Sequence, residues 1–198
     1  MGADAQKKVR LYFLDGGFWA GMLGMKDADY DQMVLAKVNS LNLRQRALAK
    51  TGLDEDQLKE IAPVYIHGFN FDNNEAVKVG ADGRLRSSQY DAAWLFFSDT
   101  HVYAFRVSLD MGSESSKEKT EEYFYKDITS FSTVEETVDV TPAAGCLGGA
   151  GKKQTRKYTR FALAVPGDDK FYCSTTGAPD AERSVSAMKQ KLREKKQS

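Results

Sequence analysis

The residues best suited to chemistry in this chain are cations, and they gather in two places. The segment Lys78-Val79-Gly80-Ala81-Asp82-Gly83-Arg84-Leu85-Arg86-Ser87-Ser88 sets Lys78, Arg84 and Arg86 about an Asp-Gly turn, with Ser87 and Ser88 as extra hydroxyl donors. A guanidinium bonds two oxygens of a phosphate or carboxylate at once, so Arg-x-Arg beside a lysine suits an anionic ligand. The plainer alternative is a hairpin whose arginines are solvated, and Asp82 at its centre favours that alternative. The second cluster, Lys152, Lys153, Arg156, Lys157 and Arg160, follows Gly145-Cys146-Leu147-Gly148-Gly149-Ala150-Gly151. It fails as a phosphate loop, because Cys146 holds the first glycine's place and Lys153 that of the hydroxyl residue. Its basic strand is expected beside Glu135, Glu136 and Asp139, where opposite charges stabilise across strands. Lys152 and Lys153 are left as candidate ligand contacts.

Other constellations carry less. Asp27-Ala28-Asp29-Tyr30-Asp31-Gln32 opens like a calcium loop, but Gln32 and Val38 stand where glycine and glutamate are required. Helix capping by Asp29 or Asp31 is the better account. His67 and His101 are the only histidines, and neither has partners at metal-ligand spacing. No serine-histidine-aspartate set stands out, so no catalytic residue, metal or cofactor is assigned. Cys146 beside lysines could be an activated thiolate, but no histidine is near it in sequence. Cys146 and Cys173 are too few for a disulfide framework and are expected as free thiols, with one bridge between neighbouring strands as the alternative.

Composition narrows the class. The chain has 198 residues, 41% hydrophobic and 28% charged, with 28 basic and 28 acidic side chains. That balance gives no global pull towards nucleic acid or membrane, so any electrostatic partner must meet a local patch. The sequence offers no apolar run of the ~18 residues a spanning helix needs, and Asp15 interrupts the apolar stretch after Arg10. No signal peptide is read, and Gln6 spoils a myristoylation site. A cytoplasmic protein is expected.

The hydrophobic period divides the chain near Pro63. Residues 1–62 are expected as a helical N-terminal subdomain, and 63–198 as a strand-rich domain. Val9 to Leu14 reads as a short strand. Met33, Val34, Val38 and Leu41 follow a helical spacing, and a second helix runs from Leu43 to Lys50 with Gly52 as its stop. A third helix is expected from Asp54, with Gln57 completing a capping box and Pro63 ending it. Phe18, Trp19, Met22 and Leu23 form an apolar, glycine-punctuated flap, a candidate interface. After Pro63 come Val64 to Phe71, Glu75 to Val79, Tyr90 to Phe97 and His101 to Leu109, the last half-buried by its alternation. A polar loop spans Gly112 to Lys119, followed by a strand around Glu122 to Ile128. Phe131 to Val140, Tyr158 to Val165 and Phe171 to Thr175 follow, with Pro166-Gly167 suited to a type II turn. Ala181, Val185, Met188 and Leu192 make the apolar stripe of a last, otherwise basic helix capped by Asp180.

Two stretches resemble bacterial pleckstrin-homology-like (PH-like) proteins. Trp94-Leu95-Phe96-Phe97-Ser98-Asp99-Thr100-His101-Val102-Tyr103 is similar to their strand-turn-strand, and Tyr123-Phe124-Tyr125-Lys126-Asp127-Ile128-Thr129-Ser130 to the segment leading into the next strand. Phe161 to Leu192 is similar to their final hairpin and helix. The resemblance covers about residues 64 to 196. It implies an α+β protein whose C-terminal part is a seven-stranded antiparallel barrel plugged by a helix. It also implies a non-enzymatic binding or scaffolding module that takes a protein partner or a second copy of itself. In family members that bind inositol phosphates, a lysine late in the first strand and an Arg-x-Arg opening the second converge on phosphate. Lys78, Arg84 and Arg86 fall near that spacing, so the alternative is an anionic ligand or acidic lipid.

Overall fold

The structure, a computed structural model, describes residues 3–14, 25–58, 62–72, 76–113, 115–141, 152–167, 170–176 and 181–197. Helix α1 (Ala3–Phe13) replaces the strand expected at Val9. Val9 and Tyr12 are buried three positions apart while Lys7, Lys8 and Arg10 face out, which is a helical and not an alternating burial pattern. Helix α2 (Asp27–Ser40) buries Tyr30, Val34 and Val38 at four-residue intervals. Neither Asp29 nor Asp31 caps it. The residue before the helix is Lys26, with no side-chain cap, and the acids Asp27 and Asp29 lie in the first turn where the helix dipole favours them. Helix α3 (Leu43–Thr51) ends as expected at Gly52, whose φ of +67° suits glycine and whose N–H donates to the Leu48 carbonyl.

Where a helix is expected from Asp54, the described residues form a 3-10 turn, Glu55–Leu58, and residues 59–61 lie outside the described residues. Leu53 and Leu58 are both buried.

All strand pairs are antiparallel. Strands β1 (Val64–Asn70), β4 (Gln89–Phe97), β5 (His101–Asp110) and β6 (Ser116–Phe124) form one sheet in the order β1-β4-β5-β6. Strands β2 (Val77–Val79) and β3 (Leu85–Ser87) form a separate hairpin between β1 and β4. Strands β7 (Ser130–Val140), β8 (Gln154–Ala164) and β9 (Lys170–Ser174) form the third sheet, and helix α4 (Ala181–Gln197) follows. Among the described residues the strands therefore do not close into the expected barrel. Its long strands divide four and three, and side chains bridge one corner in place of a ladder. There the Phe69 N–H donates to Thr176 Oγ1 at 2.7 Å, and Cys173 Sγ lies 3.5 Å from the Ile66 carbonyl. Gly68 permits this approach: a Cβ there would fall 2.6 Å from the Thr176 backbone nitrogen.

The four-stranded sheet is covered on both sides, which corrects the half-buried reading of β5. Phe105, Val107 and Leu109 of β5 pack with Tyr12, Tyr30, Val34 and Val38 of the N-terminal helices. Val102 and Ala104 of the same strand face a second core with Phe131, Phe161 and Phe171. Val185, Met188 and Leu192 of α4 enter that second core, as their spacing predicts. Strand β6 begins where a loop was expected. It is an outer strand, and nearly all its side chains are exposed, so it lacks the apolar alternation that marks a buried strand.

Candidate functional site

Arg86 organises the region in which the basic loop lies. The guanidinium is 1% exposed, and its donors are all taken. Nε and one Nη reach the two Asp31 oxygens at 2.8 Å each, and both Nη groups reach the two Asp82 oxygens at 2.8 Å. The Arg84 carbonyl takes a longer bond at 3.4 Å. Two bidentate carboxylates on one fork are what a buried arginine needs to offset its lost hydration. Hydrogen bonds from Arg86, with one from the Arg84 backbone, hold the Asp82 carboxyl well below the usual carboxylate range.

The hairpin itself is built for this. Gly83 has φ of +76°, the Arg84 N–H donates to Asp82 Oδ1, and Gly80 N–H donates to the Arg84 carbonyl. A Cβ on Gly80 would fall 2.2 Å from an Arg86 nitrogen, so only glycine leaves room for the ion pairs.

The helices are stitched to the same hairpin. Asp27 accepts from the Tyr12 hydroxyl and from the Ala81 N–H, each at 2.7 Å. The Tyr30 hydroxyl donates to the Ser87 carbonyl at 2.7 Å. Lys78 Nζ donates to the Tyr12 carbonyl at 3.0 Å and sits 4.1 Å over the Tyr12 ring. Burial, reinforced by the Asp27 carboxylate, pushes the Tyr12 hydroxyl far above its ordinary value.

Lys78, Arg84 and Arg86 therefore do not converge on one open site. Lys78 and Arg86 are spent on internal partners, and Ser87 is buried at 1% exposure. Arg84 differs. Its side chain is 63% exposed, and its ion pair with Asp31 is long, at 3.9 Å.

Arg84 lines a groove of about 700 Å³ between the β2–β3 hairpin and the start of β8. Arg156 and Lys157 stand on the other wall, with Thr159, Thr175 and Thr176 along it. The described partner of Arg156 is Gln154, at 2.9 Å, and Lys157 forms an exposed pair with Glu135 at 2.6 Å. Exposed pairs of this kind exchange for a ligand at small cost. The groove is thus lined by cations, while the Thr155 and Thr175 hydroxyls are already donated to Asp139 and to the Thr159 carbonyl. Arg160, on the same strand, is instead engaged with Asp72 and Glu136. Lys153 is not left free as expected: it pairs with Asp139 at 2.9 Å. Lys152 is exposed.

A smaller cavity of about 150 Å³ adjoins the groove, since Phe69, Arg84 and Thr176 line both. Leu35 on α2 and the pair His67–Tyr90 complete it. His67 Nδ1 lies 2.6 Å from the Tyr90 hydroxyl, and burial lowers the pKa of the imidazole. His101 is elsewhere, bonded to Thr100 and packed on the Phe124 ring.

Phe18, Trp19, Met22, Leu23 and Cys146 lie outside the described residues. Cys173 is fully buried, and burial pushes its thiol up. Sequence reading missed Leu35, Tyr90 and the threonines of the groove. They come together only through the tertiary arrangement of α2, β4, β8 and the residues that follow β9, and none sits in a recognisable local motif. No helix among the described residues is long and apolar enough to cross a membrane. Comparison with protein-family models, with curated proteins and with solved structures finds no match to this chain.

Proposed function

We propose that the chain is a binding module of the PH-like class that holds an acidic segment of a protein partner in the groove between the β2–β3 hairpin and β8. Support for the class comes from a meander of four antiparallel strands, three further antiparallel strands, and a final helix whose apolar stripe enters the core between them. The observation that carries the ligand is the placement of Arg84, exposed and weakly held, across from Arg156 and Lys157. An open groove that carries cations from both the hairpin and β8 favours carboxylates strung along a chain. The acidic-lipid alternative loses support, because Lys78 and Arg86, two of its three cations, are committed internally.

Titration calorimetry with a hexaglutamate peptide tests the reading. Binding is expected at low salt and to weaken as salt screens the channel. Replacing both Arg84 and Arg156 with glutamate should weaken it by about tenfold or more. Vesicles of phosphatidylcholine, with and without phosphatidylserine, form the comparison. Sedimentation with the acidic vesicles and indifference to hexaglutamate would transfer the assignment to a lipid surface.

A further inference from the structure

We infer that the acidic segment held by this groove carries an aromatic side chain beside its carboxylates, and that the ring seats between α2 and the His67–Tyr90 pair. This rests on the groove reading above and specifies its ligand. The 150 Å³ cavity shares Phe69, Arg84 and Thr176 with the groove, so a chain lying along the groove runs beside it. That volume matches the apolar cavity size in which a benzene ring lodges. Its walls are made for a ring: Phe69 and Tyr90 meet edge to face at 5.1 Å, and His67 and Tyr90 are 6.0 Å apart.

The fourth wall is Leu35. It is 44% exposed, although its neighbours Val34 and Val38 on the same helix are buried. Leu35 is thus an apolar side chain on the rim of an aromatic recess, available to cover an incoming ring. Asp31 also lines the cavity, but its carboxylate is claimed by Arg86. It does not act as a bare charge against an acidic ligand. Arg84 stands at the junction of cavity and groove and is 3.9 Å from Asp31. A swing of that flexible side chain meets the carboxylate next to the seated ring. Charge complementarity in the groove and size complementarity in the cavity thus fix one occupant, an acidic segment with an aromatic anchor.

The test uses fluorescence anisotropy with two labelled peptides, Glu-Glu-Phe-Glu-Glu and Glu-Glu-Ala-Glu-Glu, on the full chain. The phenylalanine peptide should bind about tenfold tighter, the effect of burying one such side chain. Leu35→Ser should shrink that advantage severalfold and leave the alanine peptide unchanged, whereas Arg84→Gln should weaken both alike. Position 35 is partly exposed, so the variant is expected to fold, and its melting curve checks this. Nuclear Overhauser contacts between the peptide ring and the Leu35 methyls supply an independent readout in the unaltered protein. Equal affinity for the two peptides overturns the aromatic seat and leaves the acidic groove standing. An advantage that survives Leu35→Ser with no contact to the Leu35 methyls overturns its location. Failure of both peptides to bind overturns the groove reading as well.

Discussion

A guanidinium is stable inside this protein at position 86 because its N–H groups end on oxygens supplied from three directions: Asp31 on α2, Asp82 in the hairpin turn, and the Arg84 carbonyl. Removing it strands two acids that were placed for it. Arg86→Ala is expected to cost about 2–3 kcal/mol in denaturant unfolding. That is below the ~3–5 kcal/mol for breaking a fully buried pair, because the Asp31 and Asp82 side chains keep 25% and 42% exposure and can recover hydration. The pH dependence follows from the direction of the Asp82 shift. Arg86 depresses the folded-state pKa of Asp82, so its contribution is complete above the unfolded carboxylate value near pH ~4. That contribution is lost as pH falls from there through the folded value. The native chain should therefore lose stability on acidification below about pH 4 more steeply than Arg86→Ala does. Parallel acid limbs in the two melting profiles would show that the pair contributes nothing to folding.

The element that decides how the two large sheets meet is β1, through a residue with no side chain. A methyl group at position 68 would press on Thr176 from 2.4 Å at its hydroxyl and 2.6 Å at its backbone nitrogen. The backbone contact cannot be relieved by a rotamer change. Gly68→Ala is expected to destabilise by about 1–3 kcal/mol as an overpacked site, and to speed exchange of the Phe69 amide that donates to Thr176. Unchanged exchange at Phe69 would mean that the corner is not held by this bond.

Elements with a buried stripe were legible beforehand. Val185, Met188 and Leu192 announced α4, and Tyr103, Phe105, Val107 and Leu109 announced β5. Elements that work through polar groups were not. The first part of strand β6, with Lys117, Glu118 and Lys119, reads as a loop, and only its end from Glu122 reads as a strand. The hairpin strand β3 is three residues long, and its central Arg86 is buried through ion pairing. The candidate site shared this limitation. The cations were visible as a cluster, but burial decided which of them remained open to a ligand, and burial at Arg86 depends on Asp31, fifty-five positions away.

At the scale of the whole molecule, the four-stranded sheet is a wall common to two cores, and this determines how the chain should unfold. Tyr90, Ala92 and Phe96 of β4 pack towards the helices, while Ala93, Leu95 and Phe97 of the same strand pack towards β7–β9 and α4. Loss of either cover exposes one complete face of the wall, and the strands that lose it also hold the other core together. Helices α1 to α3 and the later sheets should therefore melt as one cooperative unit. Val34→Ala, in the helical cover at 1% exposure, and Met188→Ala, in α4 at 2%, make cavities on opposite sides of the sheet. The first should cost about 2 kcal/mol and the second about 2–5 kcal/mol. Each should move a single transition seen alike by far-ultraviolet dichroism and by tryptophan fluorescence. Trp94 lies on the helix-facing side, so a helical layer that unfolded alone would split the dichroism of Val34→Ala into two steps, with the Trp94 signal following only the first. The sites are on opposite faces and share no core cluster, so their effects should add in the double variant to within about 0.5 kcal/mol. A larger departure would mean that the sheet transmits strain from one core to the other, and that a ligand seated against α2 could be felt at α4.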